Sequence, residues 1–486
     1  MLRMTAGEVC RAVGGRLIAG DSEGLITHIS LDSRTVSDGD LFVPIIGERV
    51  DAHDFIGQVI KSGAAAVFTS RHKSREEINA FPETAAAWIA VEDTRGALQA
   101  LGSFLRSQIA IPLVGITGSV GKTTTREMTA AALSAGFSVY KTPGNSNSQV
   151  GVPITLAQIP DEAQIGVIEL GMSEPGELGR IARVARVDCA LITNIGLAHI
   201  EQLGSQENIL REKLCIQEGM PEDGILFLNG DDPLLRQVKI PGRRVLYYGM
   251  GENCDVRGEN LRLEEGLPVF DAVCFGQRIP MKLSVMGSHM VLNALAALAV
   301  AAHFGVDLEA AAGKLSQYEG YKGRQQILRI GGVTIIDDSY NASPASMKAA
   351  LEVLSSLSGC ERKIAVLADM RELGPEAPRL HREMGEFAAR HSIDIFVLYG
   401  ELAAAIGRGA GEARLREGFA APEIRQCESL GEVDAWLDTH VGAGDAVLFK
   451  GSNSMGLSKA AAHLTEKACM PPAGGGISRE KEDNGR

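Results

Sequence analysis

The segment GITGSVGKTTTREM (residues 115–128) limits the possible folds more than any other stretch of the chain. An apolar run, IPLVGIT from Ile111 to Thr117, enters a turn holding Gly118, Ser119, Val120 and Gly121; Lys122, Thr123 and Thr124 follow, and then helical sequence. Glycines let backbone N–H groups converge on phosphate oxygens, and a helix N-terminus adds partial positive charge. In such loops the lysine, here Lys122, reaches the terminal phosphates, and the next hydroxyl, here Thr123, is set on magnesium. The usual spacing GxxxxGK[ST] is incomplete, because Ile116 stands where the first glycine belongs and Gly115 one place earlier. Strand, GKTT and helix together still read as a nucleotide loop. The loop by itself does not choose between kinase, GTPase, ATPase and ligase.

A chain of 486 residues suggests two to four domains, and around this loop three blocks appear. The first, to about residue 108, alternates apolar runs (GDLFVPI, AAAVFTS, AAWIAVE) with helical stretches. The second, residues 109–320, carries IPLVGIT, IGVIELG, CALITNIG and GILFLNGDD, buried-type strands that end in polar residues. That grammar predicts a mostly parallel α/β sheet with its site along the carboxyl edge. The third block, residues 321–470, repeats it with VTIIDDSYN, KIAVLADM, DIFVLYG and AVLFKGS, and predicts a smaller Rossmann-like unit. Residues 471–486, rich in Gly, Pro and charge, read as a disordered tail. The Ala-rich run from Asn293, NALAALAVAAHFG, reads as a buried helix and is too short to span a membrane. Eight scattered cysteines without a CxxC pair indicate neither a zinc site nor a disulfide framework and fit a reducing cytoplasm. A net charge of −13 argues against nucleic acid as a partner.

The residues that choose the chemistry come later. TPGNSNSQVGVP sets amides and hydroxyls in a Gly-bounded loop, IELGMSEPGEL puts Glu169 at a strand end, and TNIGLAHIEQLGSQENILREK carries Asn194, His199 and Lys213. Glu169 and His199 are oxygen and nitrogen donors able to bind a divalent cation near phosphates. Singly, each has a bland reading as a solvated charge or a structural histidine; after a phosphate loop and in this order they read as a metal site. Lys213, taken from its residues alone, reads as a surface lysine pairing with Glu212 or Glu218.

At these motifs the chain resembles the Mur ligases, over nearly its whole length. DSRTVSDGDLFVPIIGERVDAHDF looks like their N-terminal uridine-nucleotide domain, and the phosphate loop, TPGNSNSQVGVP, ELGMSEPGEL and TNIGLAHIEQLGS look like their central domain. IIDDSYNASPASMKAAL, LADMRELG and VLFKGSNSMGL look like the C-terminal domain of the branch that adds a dipeptide. The resemblance implies ATP and Mg2+, with UDP-N-acetylmuramoyl-tripeptide and D-alanyl-D-alanine as substrates, in a cytoplasmic monomer. It implies that Lys122 holds the β- and γ-phosphates, that Thr123, Glu169 and His199 serve metal ions, and that Lys213 is carbamylated to bind a second one. It also implies adenine contact by Asn293, phosphate contact by Arg324, and nucleotide contact by Asp338 and Asn341. Five positions depart from the family pattern: Ser148, Cys215, Met290, Ser343, and Asn453 where KGSR has arginine.

The chemistry that follows is acyl activation. A carboxylate is a poor electrophile, and γ-phosphoryl transfer gives it a good leaving group for attack by an amine; three reactants on three domains predict closure over the reaction. Rival readings are a ligase adding the third amino acid, opposed by DDSYNASP where DYAHTP is usual, a folate-glutamate ligase, opposed by the DSR…GDLF block, and a nucleotide switch, which has no use for Glu169, His199 and Lys213 together.

Overall fold

Uninterrupted apolar runs such as AVFT and LVGIT leave no polar face for solvent, so each must be covered on both sides by helices. The computed structural model, which describes residues 2–79, 81 and 85–469, builds this arrangement three times. The tail expected to be disordered lies outside the described residues. Two compact units divide the chain, one ending at Glu319 and one beginning at Gly320.

The first unit holds two large sheets. Its N-terminal five-stranded sheet runs in the order Arg16–Ala19, Ala87–Ala90, Ala66–Thr69, Asp40–Phe42, His28–Ser30, parallel except for the first pair. The helix Thr94–Gln108 starts on an Asp93 cap, whose carboxylate accepts from the N–H groups of Arg95 and Gly96.

The second sheet has nine strands, in the order Val139–Lys141, Ile165–Glu169, Leu113–Thr117, Cys189–Ile192, Leu226–Asn229, Val245–Gly249, Val256–Glu264, Leu267–Cys274, Gln277–Lys282. The first seven are parallel and the last two are added antiparallel. Every residue of Leu113–Thr117, Ile165–Glu169, Cys189–Ile192 and Leu226–Asn229 is buried. The Ala-rich helix, Met290–His303, begins three residues before Asn293 and packs its small side chains against Met128, Ala132 and Leu133 of the helix Lys122–Leu133. The loop helix is therefore wedged between sheet and helix, which explains why its polar residues Thr123, Thr124, Thr125, Arg126 and Glu127 are buried.

The second unit is a six-stranded sheet in the order Gln326–Ile330, Val333–Asp337, Asp445–Lys450, Arg362–Ala368, Ile395–Tyr399, Glu423–Cys427. Only the first pair is antiparallel. Among the described residues no helix is long and apolar enough to cross a membrane.

Candidate active site

The phosphate loop leaves the carboxyl end of Leu113–Thr117 and is tied to the neighbouring strand's end. Gly118 has φ +149°, and a Cβ there would lie 1.8 Å from Thr193 Oγ1, so only glycine fits. Gly121, at φ +85°, is the N-cap of the helix Lys122–Leu133. Asn194 clamps the turn between them. Its Oδ1 accepts from Val120 N–H (3.0 Å), its Nδ2 donates to the Val120 carbonyl (2.9 Å), and its carbonyl accepts from Ser119 N–H (3.0 Å). Thr193 Oγ1 donates to the same Val120 carbonyl at 2.6 Å. Lys122 folds back over the loop, its Nζ 2.8 Å from the Gly118 carbonyl. The first turn of a helix carries N–H groups outside the helical ladder, so a loop held in this shape is organised for an anion before one arrives.

Beside the loop a buried charge network forms. The Glu169 carboxylate, 1% exposed, accepts from Thr123 Oγ1 (3.1 Å) and Asn147 Nδ2 (2.7 Å) and pairs with Arg126 Nη1 (3.1 Å). Its backbone N–H donates to Thr142 Oγ1. Arg126 is fully buried and donates to Glu127 (2.6 Å) and the Gly144 carbonyl (2.7 Å), while Glu127 also meets Lys141. TPGNSNSQ thus supplies Thr142, Gly144 and Asn147 to orient one carboxylate. Motif reading overlooked Arg126; its signal was a polar run, KTTTRE, between apolar strands.

Lys213 is not a surface lysine. It is 2% exposed, on the helix Gln206–Leu214. Glu212 is engaged elsewhere, accepting from the N–H groups of Gly176 (2.8 Å) and Leu178 (2.9 Å), and Glu218 pairs with Arg183. Burial, with the Lys122 charge adding to it and Glu212 opposing it, pushes the Lys213 amine well below its ordinary value. Lys122 and Lys213 are therefore electrostatic neighbours. His199 sits five residues beyond Asn194, half-buried, with a left-handed φ of +62° at the start of the helix Ile200–Leu203. Asn293 Oδ1 accepts from Thr125 Oγ1 (2.9 Å) and lies 3.2 Å from where a Gly121 Cβ would be, so it flanks the loop's entry into its helix. Met290, one of the departures, touches the Asn293 amide through its sulfur.

In the second unit Arg324, Asp338 and Asn341 gather around one strand end. Lys450, 1% exposed, donates to Asp338 (2.5 Å) and to the Asn341 carbonyl (3.1 Å). Asp338 Oδ1 accepts from Gln325 N–H, and the Arg324 guanidinium stacks 3.8 Å over the Tyr340 ring. Lys450 and Tyr340 were not singled out by motif reading.

Three or more His, Cys, Asp or Glu side chains do not converge on one point among the described residues. Magnesium needs no such cage, since it is held by one or two carboxylates together with substrate phosphates and water. The hydroxyl of Thr123 and the carboxylate of Glu169, within hydrogen-bond distance of each other beside the loop, are a donor set of that kind.

A clamped phosphate loop on the edge of a parallel sheet, followed by a second α/β unit, places the chain among nucleotide-dependent α/β proteins. Comparison with known proteins narrows this. The Mur ligase family catalytic domain matches residues 25–105, the Mur ligase middle domain residues 116–301, and the Mur ligase glutamate ligase domain residues 323–453. The UDP-N-acetylmuramoyl-tripeptide--D-alanyl-D-alanine ligase of Bacillus subtilis is 35% identical over 468 residues, 96% of this chain and 99% of that protein. The crystal structure of MurF from Acinetobacter baumannii superposes with a TM-score of 0.84 at 30% identity, covering 96% and 99% of the two chains. That of MurF ligase from Thermotoga maritima in complex with ADP gives 0.77 at 30% identity, covering 91% and 97%. The chain belongs to the Mur ligase family.

Proposed function

We propose that the protein is an ATP-dependent amide ligase that joins D-alanyl-D-alanine to UDP-N-acetylmuramoyl-tripeptide in the cytoplasmic assembly of a peptidoglycan precursor. In this reading residues 1–108 take the uridine nucleotide, residues 109–320 take ATP, and residues 321–470 complete the ligase. The observation that carries it is the buried Glu169 carboxylate bonded to Thr123 of the phosphate loop, with Arg126 and Asn147 fixing its direction. A nucleotide switch needs the loop; it has no need of a second, buried, charged shell beside it.

The chain's own groups then have defined tasks. Gly118 to Thr124 cradle the β- and γ-phosphates with backbone N–H groups, and Lys122 swings from the Gly118 carbonyl to the terminal phosphate. As the γ-phosphoryl group moves to the tripeptide carboxylate, ADP leaves and an acyl phosphate forms; Lys122 offsets the charge gathered on the transferring group. The amine of the dipeptide attacks the acyl carbon, loses a proton, and phosphate departs with the electron pair of the broken C–O bond. Thr123, Glu169 and His199 would hold magnesium, which supplies neutralisation of the crowded phosphate and carboxylate oxygens. Asn293, Arg324, Asp338 and Asn341 are assigned to the nucleotide.

Lys213 fits the same site as a carbamate. A lysine held below its ordinary pKa has a neutral amine population, and a neutral amine adds to carbon dioxide with loss of a proton. The anionic product resolves the conflict between the buried Lys213 ammonium and the neighbouring charge of the half-buried Lys122. The test is ADP release with nucleotide tripeptides ending in diaminopimelate or in lysine, with and without D-alanyl-D-alanine. ADP should appear at an appreciable rate only when both substrates are present. Release that ignores the dipeptide would sink the ligase reading.

A further inference from the structure

In the all-parallel part of the second unit's sheet, the helices that follow the strands change face at one strand. Asp445–Lys450 lies between Val333–Asp337 and Arg362–Ala368. The helices that follow those two neighbours, Pro344–Ser356 and Ala377–Ala388, pack together on one face. The helix that follows Asp445–Lys450 is Leu457–Cys469; it packs with Leu430–His440 on the face lined by Val447 and Phe449. Chains leaving adjacent strand ends therefore part to opposite faces, and in open α/β sheets ligands bind in the crevice this opens. On one side of the strand the crevice holds Asp338 and Lys450. On the other side it holds Arg371.

Arg371 is anchored but not consumed. Its N–H donates to Ser452 Oγ (2.9 Å), and its Nη2 lies 3.1 Å from the carboxylate of Asp369 and 3.4 Å from Met455 Sδ. Asp369 is fully buried and is held by the N–H of Ala403 at 2.8 Å. The next residue, Glu372, takes a left-handed φ of +65°, which turns the loop away immediately after the arginine. The Arg371 side chain remains 53% exposed, and among the described residues its Nε and Nη1 have no hydrogen-bond partner, so its charge and two of its donor groups stay open at this edge. The other cations of this edge are committed, Lys450 to Asp338 and Arg324 to the Tyr340 ring. Asn453, where the Mur ligase pattern has arginine, lies on the loop that Arg371 touches at both Ser452 and Met455.

We propose that Arg371 binds the C-terminal carboxylate of the incoming dipeptide. The exposed guanidinium can give such a carboxylate a charge-assisted hydrogen bond through Nε or Nη1. The assignment rests on the ligase reading above, and it concerns substrate binding by a residue outside the phosphate loop.

The experiment is steady-state kinetics on the full chain and on Arg371→Gln, with D-alanyl-D-alanine and with its C-terminal amide. The parent should show a KM for the amide about 10- to 100-fold above that for the acid, the loss expected for one charge-assisted pair. Arg371→Gln should raise KM for the acid by a similar factor, with kcat within about twofold and KM for ATP unchanged, and should no longer tell acid from amide. Arg371→Lys should recover part of the acid's KM. A parent that uses amide and acid equally well overturns the proposal without any variant. So does a Gln variant that keeps its discrimination, or one that shifts KM for ATP instead, which would make the occupant a phosphate. A parent with no dipeptide-dependent ADP release would instead defeat the ligase reading itself.

Discussion

Two lysines are withdrawn almost completely from solvent, Lys213 in the first unit and Lys450 in the second, and their surroundings treat them in opposite ways. Lys450 is 1% exposed and meets the Asp338 carboxylate at 2.5 Å and a backbone carbonyl at 3.1 Å. Lys213 is 2% exposed and has a second cation, Lys122, as its electrostatic neighbour, while the adjacent Glu212 spends both carboxylate oxygens on backbone N–H groups. Removing an ammonium from water is costly, and only a close carboxylate with further hydrogen bonds returns that cost. Lys450 has both and is a structural tie between two strand ends. Among the described residues Lys213 has neither, and burial beside a second cation holds its amine well below the ordinary value, which supports the proposed carbamate.

Activity is where the contrast should be largest. Lys122→Ala should lower turnover by about two to three orders of magnitude, about 3–4 kcal/mol of transition-state stabilisation, with the fold intact by circular dichroism. Lys213→Ala should be nearly inactive as well, and short carboxylic acids in excess should return part of the rate by supplying the missing oxygens. Near-normal turnover of Lys213→Ala at saturating magnesium would erase the distinction drawn between the two buried lysines.

Stability should separate them by sign. Lys450→Ala strands Asp338, which is 15% exposed, and breaking a buried pair costs about 3–5 kcal/mol, here toward the lower end because Asp338 keeps some solvent. The urea midpoint of the full chain reads this. Lys213→Met should instead stabilise near neutral pH. Because the folded-state pKa of Lys213 lies below its ordinary 10.5, the unfolded chain binds more protons than the folded one between those two values. Stability of the parent therefore rises with pH through that window. In buffer free of carbon dioxide, the Tm of Lys213→Met should exceed the parent's near about pH 7, and the gap should narrow toward about pH 10. A gap that widens with pH contradicts the reading.

The two lysines were not equally visible in the sequence. Strand, glycine turn and helix are local, so the phosphate loop and the parallel sheets around it could be read from one segment at a time. Lys213 looked like a surface residue because its neighbours Glu212 and Glu218 offered easy partners. Helical spacing held a contrary signal, since Ile209, Glu212 and Lys213 stand at i, i+3 and i+4 and form the buried stripe. The long-range partners of Lys450 and Arg126 had no local signal: Asp338 is 112 residues from Lys450, and Glu169 is 43 from Arg126. The grip of Asn194 on Val120 likewise spans 74 residues. Contacts of that reach depend on strand order, which hydrophobic patterning alone does not specify.

The smallest expected effects lie in the helix caps beside the two lysines, and they test whether the difference resides in the lysines or in the stiffness of their supports. Ser205 caps the helix that carries Lys213 with a single bond to Asn208 N–H (3.2 Å). Ser343 caps Pro344–Ser356, two residues beyond Asn341, with a reciprocal arrangement in which its oxygen accepts from Ser346 N–H and the Ser346 hydroxyl accepts from Ser343 N–H (3.0 Å). Each serine-to-alanine change removes one acceptor from one helical N–H, so each should cost about 1 kcal/mol, read as a shift in the urea midpoint. Ser343→Ala keeps the bond made by Ser346, so its loss should be no larger than that of Ser205→Ala. Turnover should hold within about twofold in both, because Lys213 lies on the last turn of its helix, far from the frayed end, and Lys450 is fixed by its own strand. A drop of tenfold or more in Ser205→Ala alone would show that the position of Lys213, and not its charge state, is the fragile quantity.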